Sequence, residues 1–254
     1  MLQIHQFPCL TDNYGILVHE PSAGATAAID TPDAEAILRE AAAKGWRITD
    51  IWNTHWHPDH AGGNAAIKAA TGALVTGPAE VSRIGAAPDH VVTEGDVVTL
   101  GGVDARVLDV GGHTLGHIAY VLDSERIAFV GDTLFSMGCG RMFEGTPQQM
   151  WSSLQKLAAL PDDFTLYCAH EYTEANARFA ITMDPANRAL QARIAEVKQL
   201  RAENKATVPM TLRVEQETNP FLRAPLLKGA IMKPDATDWE AFADLRARKD
   251  NFKG

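Results

Sequence analysis

The chain has 254 residues, 46% of them hydrophobic and 22% charged, which is enough apolar material for a globular core and excludes a largely disordered chain. Its net charge of −9 at pH 7 argues against a nucleic-acid partner, because polyanions need a basic surface. No apolar run approaches the ~18 residues that a membrane span needs, and three cysteines without zinc-type spacing are typical of reduced thiols. We therefore expect a cytoplasmic protein with neither a membrane nor a nucleic-acid partner.

Charge and histidine content divide the chain near residue 170. Residues 1–170 carry 9 Lys and Arg against 20 Asp and Glu, whereas residues 171–254 carry 14 against 12. All nine histidines lie at or before His170. We therefore expect two domains, an acidic and histidine-bearing one over residues 1–170 and a cationic one over residues 171–254.

Short strands separated by turns are predicted for most of the first part. Apolar runs predict strands over residues 15–18, 27–29, 51–53, 97–100, 105–110, 118–122, 127–130 and 165–168. Helical patterns cover residues 34–44 and 148–160. The second part has helical patterns over residues 186–203 and 239–249, a loop over 219–223 between them, and no strong strand signal. These elements predict an α/β domain followed by a helical domain.

The densest group of potential metal ligands lies within residues 54–60. His55 and His57 follow a strand-like run, and Pro58 pushes His57 towards extended geometry, in which residues two apart point the same way. These two histidines can therefore bind one ion, while Asp59 points the other way and His60 lies at the turn into a helix. The alternative is a polar loop whose histidines only form hydrogen bonds. A cluster of three His and one Asp disfavours it, because such buried groups are poorly satisfied without a cation.

Three further candidate ligands, His113, Asp132 and His170, each follow a strand-like run and a short turn. Ligands at strand ends converge along one edge of a sheet, so we expect these three to complete a set of seven. His117 follows His113 at i+4, but the strand pattern over residues 118–122 argues against a helix there. We therefore expect His117 to contact a metal ligand or to have a structural role rather than to bind metal itself.

The ligand types indicate a hydrolytic site with two metal ions. Structural zinc sites favour cysteine, whereas hydrolytic sites use imidazole and carboxylate. Asp132 is the natural bridging ligand, because one carboxylate can give an oxygen to each ion. Two ions ~3.5–4 Å apart can share a water and hold it as hydroxide near neutral pH, and we infer that this hydroxide is the nucleophile. Neither a Ser-His-Asp triad nor a phosphate-binding Gly-rich loop is apparent.

The order His-x-His-x-Asp-His, followed by His, Asp and His, resembles the signature of the metallo-β-lactamase superfamily. This resemblance implies the α/β class, namely an αββα metallo-β-lactamase sandwich with a C-terminal helical domain. Within the superfamily, the chain most resembles the hydroxyacylglutathione hydrolase (glyoxalase II) family over essentially its whole length. The motifs that carry this resemblance are residues 12–14, 131–135, 138–146, 170–173, 219–223 and 248–252. It implies a catalytic domain over residues 1–170 and a helical glutathione-recognition domain over residues 171–254.

The resemblance also implies a role for individual residues. One metal would be bound by His55, His57 and His113, the other by Asp59, His60 and His170, with Asp132 bridging them and with Asp59 and Asp132 as the catalytic carboxylates. Glutathione would contact Arg141, Phe143, Tyr172, Arg246 and Lys249. Arg at position 141, where some members have Lys, keeps the charge, whereas Phe at position 143, where some have Tyr, removes a hydroxyl donor. Cations suit this ligand independently of the resemblance, because glutathione carries two carboxylates.

The activity that the resemblance implies is hydrolysis of S-(2-hydroxyacyl)glutathione thioesters. S-D-lactoylglutathione would give D-lactate and glutathione, which is the second step of methylglyoxal detoxification. We expect a monomer with two divalent ions per chain, zinc being the first choice and iron or manganese the alternatives. The alternative functions are a β-lactamase, which more typically has Cys at the position of Asp132, and a nuclease, which needs a basic groove. A persulfide dioxygenase, which uses one iron and usually lacks the helical tail, and a metal-binding protein without catalysis are also alternatives.

Overall fold

The computed structural model describes residues 1–84, 87–231 and 235–254. Its strands are β1 (Gln3–Cys9), β2 (Asn13–Glu20), β3 (Ala25–Ile29), β4 (Asp50–Trp52), β5 (Leu74–Gly77), β6 (His90–Val91), β7 (Val97–Leu100), β8 (Val103–Asp109), β9 (Ile118–Leu122), β10 (Ile127–Gly131), β11 (Leu134–Phe135), β12 (Gly138–Cys139), β13 (Thr165–Cys168) and β14 (Met210–Thr211). Its α-helices are α1 (Ala34–Lys44), α2 (Pro58–Ala61), α3 (Asn64–Thr71), α4 (Pro147–Ala158), α5 (Thr173–Met183), α6 (Arg188–Ala202), α7 (Leu212–Thr218), α8 (Ala224–Ile231) and α9 (Asp238–Asp250). The strands expected from the sequence are all present, with ends that differ by at most two residues, and the α/β class is confirmed.

The chain forms two compact units. Residues 1–109 and 116–131 make the first unit, and residues 110–115 and 132–254 make the second unit. The first unit contains β1 to β10 with α1 to α3, and the second unit contains the remaining helices with two short strand pairs.

Two sheets make up the β-structure of the first unit. Strands β1 to β6 form one sheet in chain order, antiparallel from β1 to β3 and parallel from β3 to β6. Strands β7 to β10 form an antiparallel meander. The rings of Trp52 and Tyr120 stack between the sheets with centroids 5.2 Å apart, and the Tyr120 hydroxyl donates to the Asn53 carbonyl at 2.9 Å. These buried contacts fix the end of β4, from which the histidine-rich segment continues.

Helices α1 and α3 cover the opposite face of the first sheet. Helix α1 begins where the Asp33 side chain accepts a hydrogen bond from the main chain, and it ends at Gly45, whose φ of 71° is readily adopted by glycine. The helices and the sheet share an apolar core that includes Leu17, Ala28, Ile37, Ala41, Ile51, Ile67 and Val75. The central strands β2 and β3 are therefore buried on both faces, as their nearly continuous apolar sequences predict.

In the second unit, a buried carboxylate holds the β11–β12 hairpin against the helices. Glu215 on α7 accepts hydrogen bonds from the Met137 main-chain N–H at 2.7 Å, the Asn219 side chain at 2.9 Å and the Ser136 hydroxyl at 3.1 Å. Asn219 also donates to the Gly138 carbonyl at 2.9 Å. Burial raises the pKa of Glu215 to about 6, although these donors oppose the shift.

Two local features differ from particular sequence-based expectations. Residues 58–61 form the single helical turn α2, so the extended geometry predicted around Asp59 is wrong; Pro58 suits the first position of a helix. The strand pair β13–β14 places a short strand in the part expected to be helical. Within the described part of the chain, no helix combines the length and apolar character that crossing a bilayer requires.

We predict that Glu215 makes the stability of the protein depend on pH. Its folded-state pKa of about 6 lies above the ordinary value of 4.5, so its contribution to the unfolding free energy is present below pH 4.5 and is lost as the pH rises through 6. In Glu215→Gln this loss is absent, so the unfolding free energy of the variant relative to the wild type rises by about 2 kcal/mol from pH 4.5 to 7. Urea unfolding across this range measures the difference. Glu217→Gln, on the exposed face of the same helix, is the control, and a flat difference for both variants would contradict the prediction.

Candidate metal centre

The first group of candidate ligands leaves the end of β4 and runs into α2. His57 is still extended, with φ −57° and ψ 149°. The Nε2 atom of the buried His55 lies 3.0 Å from Nδ1 of His57, so both nitrogens can reach one ion at the ~2.0–2.1 Å typical of zinc–imidazole bonds. Asp59 and His60 follow in α2, with Oδ2 and Nε2 3.7 Å apart. The segment thus presents two pairs of donors.

Asp30, at the end of β3, is a functional candidate that the sequence reasoning missed. Its carboxylate accepts hydrogen bonds from His60 Nδ1 at 2.9 Å, from the Thr54 N–H at 2.7 Å and from the Thr54 hydroxyl at 2.8 Å. Thr54 Oγ1 in turn lies 3.0 Å from His55 Nδ1. Partners of this kind fix the ring orientation of a ligand and leave Nε2 for the ion. The signal was available, because Asp30 follows the predicted strand 27–29, as the other candidates follow theirs.

The second unit brings its three candidate ligands together around one carboxylate. Asp132 Oδ2 lies 3.4 Å from His113 Nε2, and Oδ1 lies 3.3 Å from His170 Nε2. His113 donates from Nδ1 to the Arg141 carbonyl at 2.7 Å, and the ring of His170 stacks on Tyr172 at 4.7 Å. All three candidate ligands are buried. Each oxygen of Asp132 therefore faces a different imidazole, which is the arrangement that a bridging carboxylate needs.

The chemistry of these donors fits divalent metal ions used in hydrolysis. The set consists of imidazoles and carboxylates, which zinc, iron and manganese accept. Among the described residues, the groups of donors close enough to share an ion contain only His and Asp. Burial also raises the pKa of Cys139 to about 11 and that of Cys9 to about 12, and it raises the pKa of Cys168. Buried, protonated thiols of this kind are poor ligands and poor nucleophiles.

Two of the residues expected to contact glutathione lie next to the candidate ligands of the second unit. Tyr172 stacks on His170, as described above. Phe143 is 62% exposed and packs edge-on against His113, with ring centroids 5.3 Å apart. Both rings therefore extend from a candidate ligand towards the surface.

The three cations expected to contact glutathione have different surroundings. Arg141 is exposed, with its Nε atom 3.5 Å from Asp250 Oδ1. Arg246 is buried, and it donates to the Cys139 carbonyl at 3.0 Å and to Asp250 at 2.8 Å. The Lys249 ammonium donates to a main-chain carbonyl, that of Ala175, at 2.9 Å. Burial, reinforced by neighbouring arginines, lowers the pKa of Lys249 to about 8.

Comparison with known proteins shows which families the chain is similar to. The family model for the metallo-β-lactamase superfamily matches residues 22–170, and the model for the hydroxyacylglutathione hydrolase C-terminus matches residues 171–252. A protein named hydroxyacylglutathione hydrolase from Erythrobacter litoralis is 58% identical over 99% of this chain and 100% of its own length. Another of that name from Hyphomonas neptunium is 54% identical over 99% of each chain.

Solved structures show the same fold at lower identity. The crystal structure of the B3 metallo-β-lactamase BLEG-1 is 20% identical, with a TM-score of 0.66 over 87% of this chain and 99% of that one. A protein crystallised in a di-iron-bound form is 22% identical, with a TM-score of 0.63 over 87% of this chain and 100% of that one. These likenesses confirm the metallo-β-lactamase fold with a C-terminal helical region. Together with the full-length relatives, they show that the chain belongs to the hydroxyacylglutathione hydrolase family of the metallo-β-lactamase superfamily.

Proposed function

We propose that this chain hydrolyses S-(2-hydroxyacyl)glutathione thioesters, converting S-D-lactoylglutathione to D-lactate and glutathione, the second step of methylglyoxal detoxification. The observation that carries the proposal is the full-length similarity to proteins named for this activity. The buried imidazole and carboxylate donors and the cations of the second unit support it. We place catalysis in residues 1–170 and glutathione recognition in residues 171–254, in a cytoplasmic monomer without nucleic-acid or membrane partners.

The proposed metal ligands are the seven residues that the family resemblance implies. His55, His57 and His113 would hold one divalent ion, Asp59, His60 and His170 the other, and Asp132 would bridge them. Zinc is the expected metal, with iron or manganese as alternatives. Bound ions of this kind polarise a carbonyl and generate a nucleophile from water at neutral pH.

The residues of the chain hold the ligands and the substrate for this reaction. Asp30 keeps the Nδ1 protons of His55 and His60 engaged, directly or through Thr54. Asn13 donates to Asp59 Oδ2 at 3.2 Å and so limits the rotation of this more exposed carboxylate. In the reaction, water adds to the thioester carbonyl, the C–S bond breaks and the sulfur leaves as the thiolate of glutathione, which then takes up a proton.

Arg141, Phe143, Tyr172, Arg246 and Lys249 are the proposed glutathione contacts. Cations pair with the carboxylates of glutathione, and the aromatic rings cover its apolar surface. Because these groups bind a part of the substrate that does not react, their removal should act mainly on binding.

We predict that Asp132→Ala loses bound metal and activity together. Loss of a group that only hydrogen-bonds to a metal ligand already lowers metal affinity or activity about 10–100-fold. Loss of a bridging ligand should therefore lower activity by more than about 100-fold. Elemental analysis alongside an assay of thioester loss from S-D-lactoylglutathione measures both quantities. Asp235→Ala, an exposed carboxylate of the second unit, is the matched control. Full metal occupancy in Asp132→Ala would argue against the bridging role, and a fully loaded wild type that leaves the thioester intact would refute the proposed function.

We predict that Asp30→Asn lowers metal affinity about 10–100-fold. In the wild type, His60 and Thr54 donate to the two oxygens of the Asp30 carboxylate. The asparagine side chain replaces one of these oxygens with an NH₂ group, so His60 or Thr54 loses its acceptor. Competition with a chromophoric chelator measures the dissociation constants. Asp123→Asn, an exposed carboxylate of the first unit paired with Arg106, should leave them unchanged. Equal affinity in the wild type and both variants would show that Asp30 does not orient the ligands.

We predict that Lys249→Ala raises KM about 10–100-fold and changes kcat much less, since a charged hydrogen bond contributes about 1.5–3 kcal/mol. The wild-type KM should also rise as the pH passes through about 8, where Lys249 loses its proton. Lys249→Arg stays charged and should remove this pH dependence. Steady-state kinetics between pH 6.5 and 9 on all three proteins provide the measurement. A large fall in kcat at unchanged KM in Lys249→Ala would exclude a binding role.

A further inference from the structure

His117 is a buried histidine for which the proposed function has no role. It is completely buried immediately before β9. The N–H of Ile118 donates to the Thr54 carbonyl at 2.9 Å, which places the start of β9 beside the segment that carries His55. Within the described residues, His117 belongs to none of the His, Cys, Asp and Glu groups whose ligand atoms are close enough to share an ion. It is therefore next to the candidate ligands without being one of them.

The ring of His117 lies against the face of His55. The two ring centroids are 4.6 Å apart and the planes are inclined by 21°, which is a stacked arrangement. Such offset ring contacts are favourable and have a preferred geometry. The contact is made to the face of the His55 ring, whereas Thr54 Oγ1 approaches its edge, at Nδ1.

Gly131 limits the space around both of these contacts. A Cβ atom at Gly131 would lie 2.8 Å from Nε2 and Cε1 of His117 and 2.6 Å from Thr54 Oγ1. Its φ of 48° lies in the left-handed region, which favours glycine. The backbone at the end of β10 therefore packs closely against two of the groups that touch His55, and it leaves little room for the His117 ring to move away.

The face contact and the edge contact restrict different motions of His55. A single hydrogen bond at Nδ1 fixes the tautomer but leaves the imidazole able to rotate about that bond. A ring packed on the face opposes this rotation, because rotation would break the stacked contact. The face contact therefore adds a restraint on the direction of Nε2 that the hydrogen bond at Nδ1 does not supply; the neighbouring ring of His60, 4.0 Å away, is itself a candidate ligand.

We propose that His117 is a positioning residue that holds the imidazole of His55, by ring stacking, in the orientation in which Nε2 receives a metal ion. The inference rests on the proposed function in that it takes His55 as a ligand. The role belongs to the flat ring of His117 and not to the ability of its nitrogens to bind metal.

Metal titration of His117→Ala tests the proposal. The protein is stripped of metal and titrated with zinc in competition with a chromophoric chelator, and the cobalt-loaded protein is examined by absorption spectroscopy. We expect the affinity for one of the two ions to fall about 10–100-fold, as for other groups that orient ligands, and the cobalt spectrum to change. A merely structural role would lower the melting temperature without changing either quantity. Unchanged affinity and an unchanged spectrum in folded His117→Ala would overturn the proposal.

His19→Ala is the matched control. His19 also lies in the first unit and stacks on a ring, that of Trp46, with centroids 4.7 Å apart and planes inclined by 10°. Its removal deletes the same chemical group from a comparable contact with a residue that is not a proposed ligand. We expect zinc affinity and the cobalt spectrum to match those of the wild type; a loss equal to that of His117→Ala would overturn the proposal.

A second variant covers the case in which His117→Ala does not fold. His117→Phe keeps a flat ring and removes the nitrogens, so we expect zinc affinity within about threefold of the wild type. A loss of tenfold or more would overturn the stacking role.

These measurements of metal binding do not involve substrate, so the proposed function and the role of His117 can be contradicted separately. A wild type that binds two ions but leaves S-D-lactoylglutathione intact contradicts the proposed function alone, and an active wild type with unchanged affinity in His117→Ala contradicts this inference alone.

Discussion

A buried carboxylate at the end of β3 orients two candidate ligands at once. Asp30 accepts three hydrogen bonds, from His60 and from the main chain and hydroxyl of Thr54. Removing a carboxylate from water is unfavourable unless such donors replace the solvent. An imidazole that gives Nε2 to a metal must keep its proton on Nδ1, so a fixed acceptor there selects both tautomer and direction. The φ of 57° at Asp30, uncommon for a residue other than glycine, accompanies this placement of the carboxylate.

In the second unit, a main-chain group rather than a carboxylate orients a candidate ligand. His113 donates its Nδ1 proton to the carbonyl of Arg141, so the position of that backbone determines how the ligand points. The preceding hairpin is held by the Arg246 guanidinium on the Cys139 carbonyl and by the side chain of Asn219. Residues from the C-terminal helical region therefore support a candidate ligand as well as the proposed glutathione contacts. The same loop that orients His113 also presents the Arg141 side chain, which links ligand geometry to recognition within this unit.

The sequence predicted those parts of the site that depend on short-range patterns. The two-residue spacing of His55 and His57 is visible in a strand-like context, and the structure brings their nitrogens within 3.0 Å. The strands that carry His113, Asp132 and His170 were recognisable from apolar runs and turns, and the second unit gathers these three residues. Such patterns indicate the local conformation of the backbone, which the neighbouring residues in the sequence largely determine.

Other features depend on contacts between residues far apart in the chain, which spacing does not reveal. The role of Asp30 follows from hydrogen bonds to residues 24 and 30 positions away. Arg246 is buried and donates a hydrogen bond to a residue 107 positions away in the chain. The single helical turn at residues 58–61 was missed because Pro58 suits both an extended residue before it and a helix that begins with it.

The surroundings of the three cations indicate which of these proposed glutathione contacts would add most to binding. Arg141 and Arg246 already face the carboxylate of Asp250, so a substrate carboxylate at either one would replace or share an existing pair and gain little net electrostatic energy. Lys249 instead donates to the neutral carbonyl of Ala175 while partly removed from water, and its pKa of about 8 reports the resulting instability of its charge. A carboxylate that reaches Lys249 would stabilise a charge that burial and the neighbouring arginines destabilise. The burial that lowers the pKa of Lys249 therefore makes binding of an anionic group more favourable at Lys249 than at either arginine.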